Sequence, residues 1–214
     1  MKIEELKEKL TLLSSEENRF YMEKYMRNQF PFLGVKTPER RGVMKDFLKT
    51  YEGFSLEDVE KLYAEKEREY KYCALSLLEK YVGELDHQDT ERILKLALTE
   101  PWWDTIDGFG PSVFGPMAQK DEDVKKTMRS LIYEENIWLK RISILFQLKY
   151  KEKMDEDLLT EAIVNNADTK EFFVDKAIGW VLREYSKTDP EFVRAFIGKY
   201  KLSSLSVREC SRYI

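Results

Sequence analysis

YCALSLLEKY (Tyr72–Tyr81), RISILFQLKY (Arg141–Tyr150) and KAIGWVLREY (Lys176–Tyr185) are three ten-residue stretches with a similar apolar frame and a final tyrosine. In each, apolar residues recur three and four positions apart, the spacing that lines one face of an α-helix. The second and third begin 35 residues apart; the first and second begin 69 apart, about two such periods. A helical unit repeated at that period is the signature of stacked antiparallel helix pairs, in which each pair buries its apolar face only against its neighbours. The skipped repeat should begin near position 107, where Asp107 stands after Trp102-Trp103-Asp104. Equivalent positions in successive repeats point the same way, so Tyr72, Asp107, Arg141 and Lys176 are expected to share one groove.

Outward from these stretches the helical pattern continues. Ser14-Ser15-Glu16-Glu17 reads as a capping box before a helix through about Asn28. Thr37-Pro38 places a cap residue before a proline at the first helical position. Ser55-Leu56-Glu57-Asp58 repeats the start signal, and apolar spacing predicts a helix over 65–81. Further helices are predicted over 89–98, 121–134, 136–150, 155–166, 168–186 and 190–200. Only nine glycines and six prolines occur, too few for a loop-rich or many-turned β protein. The expected fold is all-α, a curved right-handed solenoid of about six antiparallel helical pairs, HEAT-like, in a single domain over residues 1–214.

Composition narrows the function. Hydrophobic residues make up 43% of the chain and charged residues 36%, which permits a real core under a charged helical surface. No run of 18 apolar residues exists, so no membrane partner is expected. The opening MKIEELKEKL lacks the apolar core of a secretory signal. Cys73 and Cys210 sit far apart without CxxC spacing, which fits a reduced, cytoplasmic protein. Net charge is −4, a mild argument against nucleic acid, but basic residues slightly outnumber acidic ones after Trp138. His87 is the one histidine, so metal sites of the zinc type are not expected. No phosphate-binding loop appears, and Gly108-Phe109-Gly110-Pro111 is no dinucleotide fingerprint, so no nucleotide cofactor is expected.

The segment PWWDTIDGFG (101–110) stands out. Adjacent tryptophans point in different directions, so one can pack inward while the other faces a groove. Trp103 and Asp107 are four apart and share one side of a helix. Arg141 follows Trp138 and Lys140. Lys176, Trp180 and Arg183 form one helical stripe, an aromatic between two cations. Core tryptophans and surface cations are the plain reading. Aromatics interleaved with cations also suit nucleic acid, where cations meet phosphates and rings pack on sugars or bases.

At these residues the sequence resembles the AlkD-type DNA alkylation repair glycosylases, helical-repeat proteins of the same length class. The resemblance runs from about Tyr21 to Arg208 through YMRNQFPFLGVKTPERR (25–41), WWDTID (102–107), NIWLKRISILFQLKYK (136–151) and KEFFVDKAIGWVLREYSK (170–187). It implies a lesion-site cluster of Trp103, Asp107, Arg141 and Trp180, and binding of the DNA backbone around the lesion without a base pocket. Lys176, Arg183, Tyr25, Lys36, Arg40, Arg41 and Lys140 are the candidate backbone contacts. The chain departs from the pattern in the glycine- and proline-rich stretch after Asp107, where a broken helix would change the aim of that carboxylate.

The expected activity is excision of positively charged alkylated purines from duplex DNA, by a monomer without cofactor. Cleavage of the glycosidic bond passes through a sugar cation, which a carboxylate stabilises. Asp107 is the candidate, with Trp103 and Trp180 packed on the sugar and Arg141 on a neighbouring phosphate. No lysine is singled out as a Schiff-base nucleophile, so an intact abasic strand is the expected product. Two other readings use the same scaffold: a non-catalytic binder of damaged or distorted DNA, and a protein–protein scaffold.

Overall fold

The computed structural model describes residues 2–212; the ends of the expected 1–214 domain lie outside the described residues. The fold is all-α, with no strand among the described residues. The chain divides into two compact units, Met1–Tyr81 and Val82–Ile214. No helix among the described residues is long and apolar enough to cross a membrane.

The first unit holds α1 (Ile3–Leu12), α2 (Glu16–Tyr25), α3 (Thr37–Thr50), α4 (Leu56–Tyr63) and α5 (Arg68–Tyr81). Leu6 and Leu10 of α1, Met44 and Phe47 of α3, Leu62 and Tyr63 of α4, and Leu77 and Leu78 of α5 are buried. Ser15 caps α2 by accepting from the Asn18 amide, and Ser55 caps α4 by accepting from Asp58. α2 stops before the expected Asn28, because Arg27 and Asn28 take left-handed backbone angles that no helix continues through. α3 begins one residue early, with Lys36 at the cap and the Glu39 carboxylate accepting from the Lys36 amide. α5 starts at Arg68 rather than Glu65. Its Glu69 is fully buried and accepts the amides of Leu33, Gly34 and Val35 at 2.9, 2.9 and 3.0 Å, which fixes the loop before α3.

The second unit holds α6 (Thr90–Ala97), α7 (Trp103–Gly108), α8 (Gly115–Lys120), α9 (Glu122–Ser130), α10 (Ile137–Leu145), α11 (Glu156–Val164), α12 (Phe172–Tyr185), α13 (Pro190–Lys199) and α14 (Ser204–Cys210). α7, α10, α12 and α14 form a row in which each helix touches the next, while α9 and α11 pack on α10 and α13 packs on α12. Side-chain contacts recur at a nearly constant sequence separation. Arg141 reaches Asp107, Tyr150 donates to the Gly115 carbonyl, Asn166 donates to that of Ile132, and Ser206 donates to that of Asp175, separations of 34, 35, 34 and 31 residues. The period read in the sequence is thus also the period of these side-chain contacts.

The helix after Asp107 does not break. It widens into a π-helical segment, Phe109–Phe114, and runs on as α8. Pro111 lacks the amide an α-helix would use, and a wider turn is one way the backbone absorbs that loss. Gly115 permits a close crossing, since a Cβ there would lie 2.4 Å from the Phe146 carbonyl.

The ends of α6, α9, α10, α11, α12 and α13 fall inside their predicted spans, whereas α1 and α14 lie in none of them. α10 closes at Leu145 and is followed by a turn rather than reaching 150, and α12 opens at Phe172 rather than 168. Lys170, with φ of 59°, interrupts the helical path just before α12.

Candidate functional site

Three helices of the row converge on one guanidinium. Trp102 is extended, with φ −151° and ψ 163°, and the helix begins at the next residue, so the adjacent tryptophans part. The Trp102 ring joins Trp138 and Phe173, with centroids 5.7 and 5.2 Å away. Trp103 opens α7 half-buried, and Asp107 follows one turn later on the same side. Arg141 of α10 donates from Nε to Asp107 Oδ1 at 2.8 Å and from Nη2 to Oδ2 at 3.0 Å, a fork-to-fork pair. Its Nη1 donates to the Phe173 carbonyl in the first turn of α12.

The pair is asymmetric. The Arg141 side chain is 5% exposed and that of Asp107 is 18% exposed, so the carboxylate is the half that reaches toward solvent. Both carboxyl oxygens of Asp107 accept N–H bonds from Arg141. Burial pushes its carboxyl up from the ordinary aspartate range, the Arg141 charge and hydrogen bonds pull it back, and Asp104 adds a smaller upward push; the net direction is up. The plain reading of Arg141 as a surface cation is overturned by its burial.

Lys176, Trp180 and Arg183 lie along α12, with Trp180 half-buried. The two cations meet a carboxylate: Lys176 Nζ donates to Glu209 Oε1 at 2.9 Å, and Arg183 Nη1 donates to Oε2 at 2.8 Å. Glu209 sits on α14, with its carboxyl held below the usual range chiefly by the Lys176 hydrogen bond. Lys140 donates to the Asn166 side chain at 2.8 Å.

The remaining candidates belong to the first unit. Tyr25, Lys36 and Arg41 are exposed, and Arg40 lies over the Tyr72 ring, 4.9 Å from its centroid. As for metals, His87, Asp121 and Asp123 come close together among the described residues. That group is largely solvated, and Asp121 is already engaged as the cap of α9.

Glu209 and the Phe173 carbonyl were not apparent in the sequence reading. A signal for Glu209 existed: the period that joins Asp107, Arg141 and Lys176 reaches Glu209 at its next step. No pattern points to a backbone carbonyl.

Comparison with known proteins identifies the family. The family model described as DNA alkylation repair enzyme matches residues 6–214. A solved structure described as a predicted DNA alkylation repair enzyme from Enterococcus faecalis is similar at 33% identity and a TM-score of 0.84, covering 94% of this chain and 96% of that one. No curated protein matches significantly.

Proposed function

The chain belongs to the DNA alkylation repair enzyme family, and from that premise we propose that it is a monofunctional DNA glycosylase that releases cationic alkylated purines from duplex DNA, acting as a cytoplasmic monomer. The observation that carries this reading is the Asp107–Arg141 pair, in which a buried guanidinium holds both oxygens of a carboxyl group whose side chain is the more exposed of the two.

The chemistry follows from the leaving group. A purine alkylated at N3 or N7 carries a positive charge and departs neutral, so no acid is needed to protonate it. The demand falls on the sugar, which becomes cationic as the bond to C1′ lengthens. A fixed carboxylate beside C1′ stabilises that charge, and removing such a preorganised group typically costs ~3 kcal/mol of transition-state stabilisation. Asp107 has this role, and it also orients the attacking water. Arg141 holds Asp107 by two bonds and α12 by a third, and its 5% exposure makes it the group that fixes the carboxylate rather than the expected phosphate contact. Trp103 and Trp180 pack on the sugar, with cation–π attraction of about 0.5–2 kcal/mol each as the ring gains charge.

The test is duplex DNA with a single 7-methylguanine, scored for free base over time. Asp107→Asn should bind as the wild type does and excise ~100-fold more slowly or worse. Equal rates would remove Asp107 from the mechanism. Efficient release of a neutral base such as uracil would require an acid that this site does not contain. Salt-dependent binding with no release of any base would favour a non-catalytic DNA binder.

A further inference from the structure

The stripe on α12 reads as two cations around a tryptophan, yet both cations are held by one acidic side chain. We propose that Glu209 is a positioning and specificity-determining residue, which clamps Lys176 and Arg183 on either side of Trp180 and offsets one of their two charges, so that the stripe takes a single backbone phosphate and grips intact duplex only weakly. The proposal rests on the DNA-binding reading above.

Glu209 is built in rather than draped over the site. Its side chain is 9% exposed, and each carboxylate oxygen accepts from a different cation. α14 cannot shift easily from α12. A Cβ at Gly179 would lie 2.5 Å from the Glu209 Cβ and 3.0 Å from the Ser206 carbonyl, so the two helices touch through that glycine. The Ser206 hydroxyl donates to the Asp175 carbonyl at 2.9 Å, and Cys210 is fully buried in the last turn of α14.

The cations, by contrast, reach outward. The side chains of Lys176 and Arg183 are 38% and 20% exposed. An ammonium has three donors and a guanidinium five, and the Glu209 bonds use one of each, so donors remain for a phosphate. Two positive charges and one negative leave a net of about one, the charge of one phosphodiester. Arg212, 60% exposed and 3.8 Å from the same carboxylate, is too far for a hydrogen bond and adds a solvent-screened charge at the rim. Without the clamp, two uncompensated cations would attract any duplex. A repair protein that must leave undamaged DNA, which vastly outnumbers its lesions, is hindered by such attraction.

The experiment measures affinity for undamaged duplex and for duplex with one 7-methylguanine across a range of sodium chloride, using the full chain. Glu209→Gln should bind undamaged duplex several-fold more tightly, steepen the salt slope by about one unit, and lower the preference for the lesion. A merely structural Glu209 would lose affinity with loss of folding and would not steepen the slope. Unchanged affinity and slope overturn the proposal. Should Glu209→Gln fail to fold, Lys176→Gln, Arg183→Gln and their double variant decide the matter. Under the proposal each single change removes about one unit of slope and the double removes no more, whereas independent cations would lose about two units and overturn it. A wild-type chain that binds no duplex removes the DNA reading and the proposal together; wild-type binding untouched by these substitutions removes the proposal alone.

Discussion

Two acid–base clusters lie along the same row of helices, and they are built inside out relative to each other. At Asp107 and Arg141 the cation is the buried partner, 5% exposed against 18% for the carboxylate. At Glu209 the carboxylate is the buried partner, 9% exposed, while Lys176 and Arg183 extend to 38% and 20%. A hidden cation presents a negative edge, and a hidden carboxylate presents positive ones. The first suits a sugar that turns cationic and the second suits a phosphate. Which partner is buried therefore decides what a salt bridge offers to a ligand.

The contrast breaks most severely at Arg141. Arg141→Ala leaves Asp107 largely buried without a counter-ion and should cost about 3–5 kcal/mol of stability, measured by denaturant titration. If Arg141→Ala unfolds no more easily than Lys176→Ala, the two clusters are not built differently. A smaller effect is expected at the second cluster from Gly179→Ala, whose new methyl must displace α14 at about 1–3 kcal/mol. The same change should loosen the Glu209 clamp, so DNA binding should become more salt-dependent; a shift in melting temperature with no change in salt slope would separate helix packing from clamping.

A pH profile sharpens the comparison at the first cluster. Under the proposed mechanism excision uses the Asp107 carboxylate, so the rate should be present above its pKa and be lost as pH falls through it. Because burial pushes this carboxyl up, the loss should begin at a higher pH than an ordinary aspartate would give. Stability runs the other way: the folded chain holds the proton more tightly, so this group's contribution is full below the unfolded pKa and is lost as pH rises through the folded one. An acid limb at or below the ordinary aspartate position would mean that Arg141 outweighs burial. The smallest effect belongs to a pair outside both clusters. Lys126→Ala removes an exposed partner of Asp123 and should leave the melting temperature and excision unchanged.

Much of the second unit was legible because repetition imposes long-range order on a linear code. The spacing that links Asp107 to Arg141 is that of the bond between them, and one period on Lys176 is paired with Glu209 in the same way. The caps at Ser15 and Ser55 were legible because a short polar side chain before an acidic turn has few other uses. Other features depend on partners that periodicity does not name. The left-handed turn at Arg27 and Asn28 involves two residues with no glycine to announce it. The run after Asp107 suggested a break, but Gly115 serves a close crossing with the Phe146 carbonyl and Pro111 lies within a π-helical turn. Burial of Arg141 required knowing that α7 and α12 close over it.

The loop before α3 has a property that its irregular backbone conceals. Leu33, Gly34 and Val35 all donate their amides to the fully buried Glu69 carboxylate. Hydrogen exchange at these amides should therefore be as slow as in the helices of the first unit, because releasing any one of them costs a hydrogen bond to a fully buried acceptor. In deuterated solvent the segment should behave as core despite having no helix or strand of its own, and Glu69→Gln should make those three amides exchange together while the rest of α5 keeps its protection.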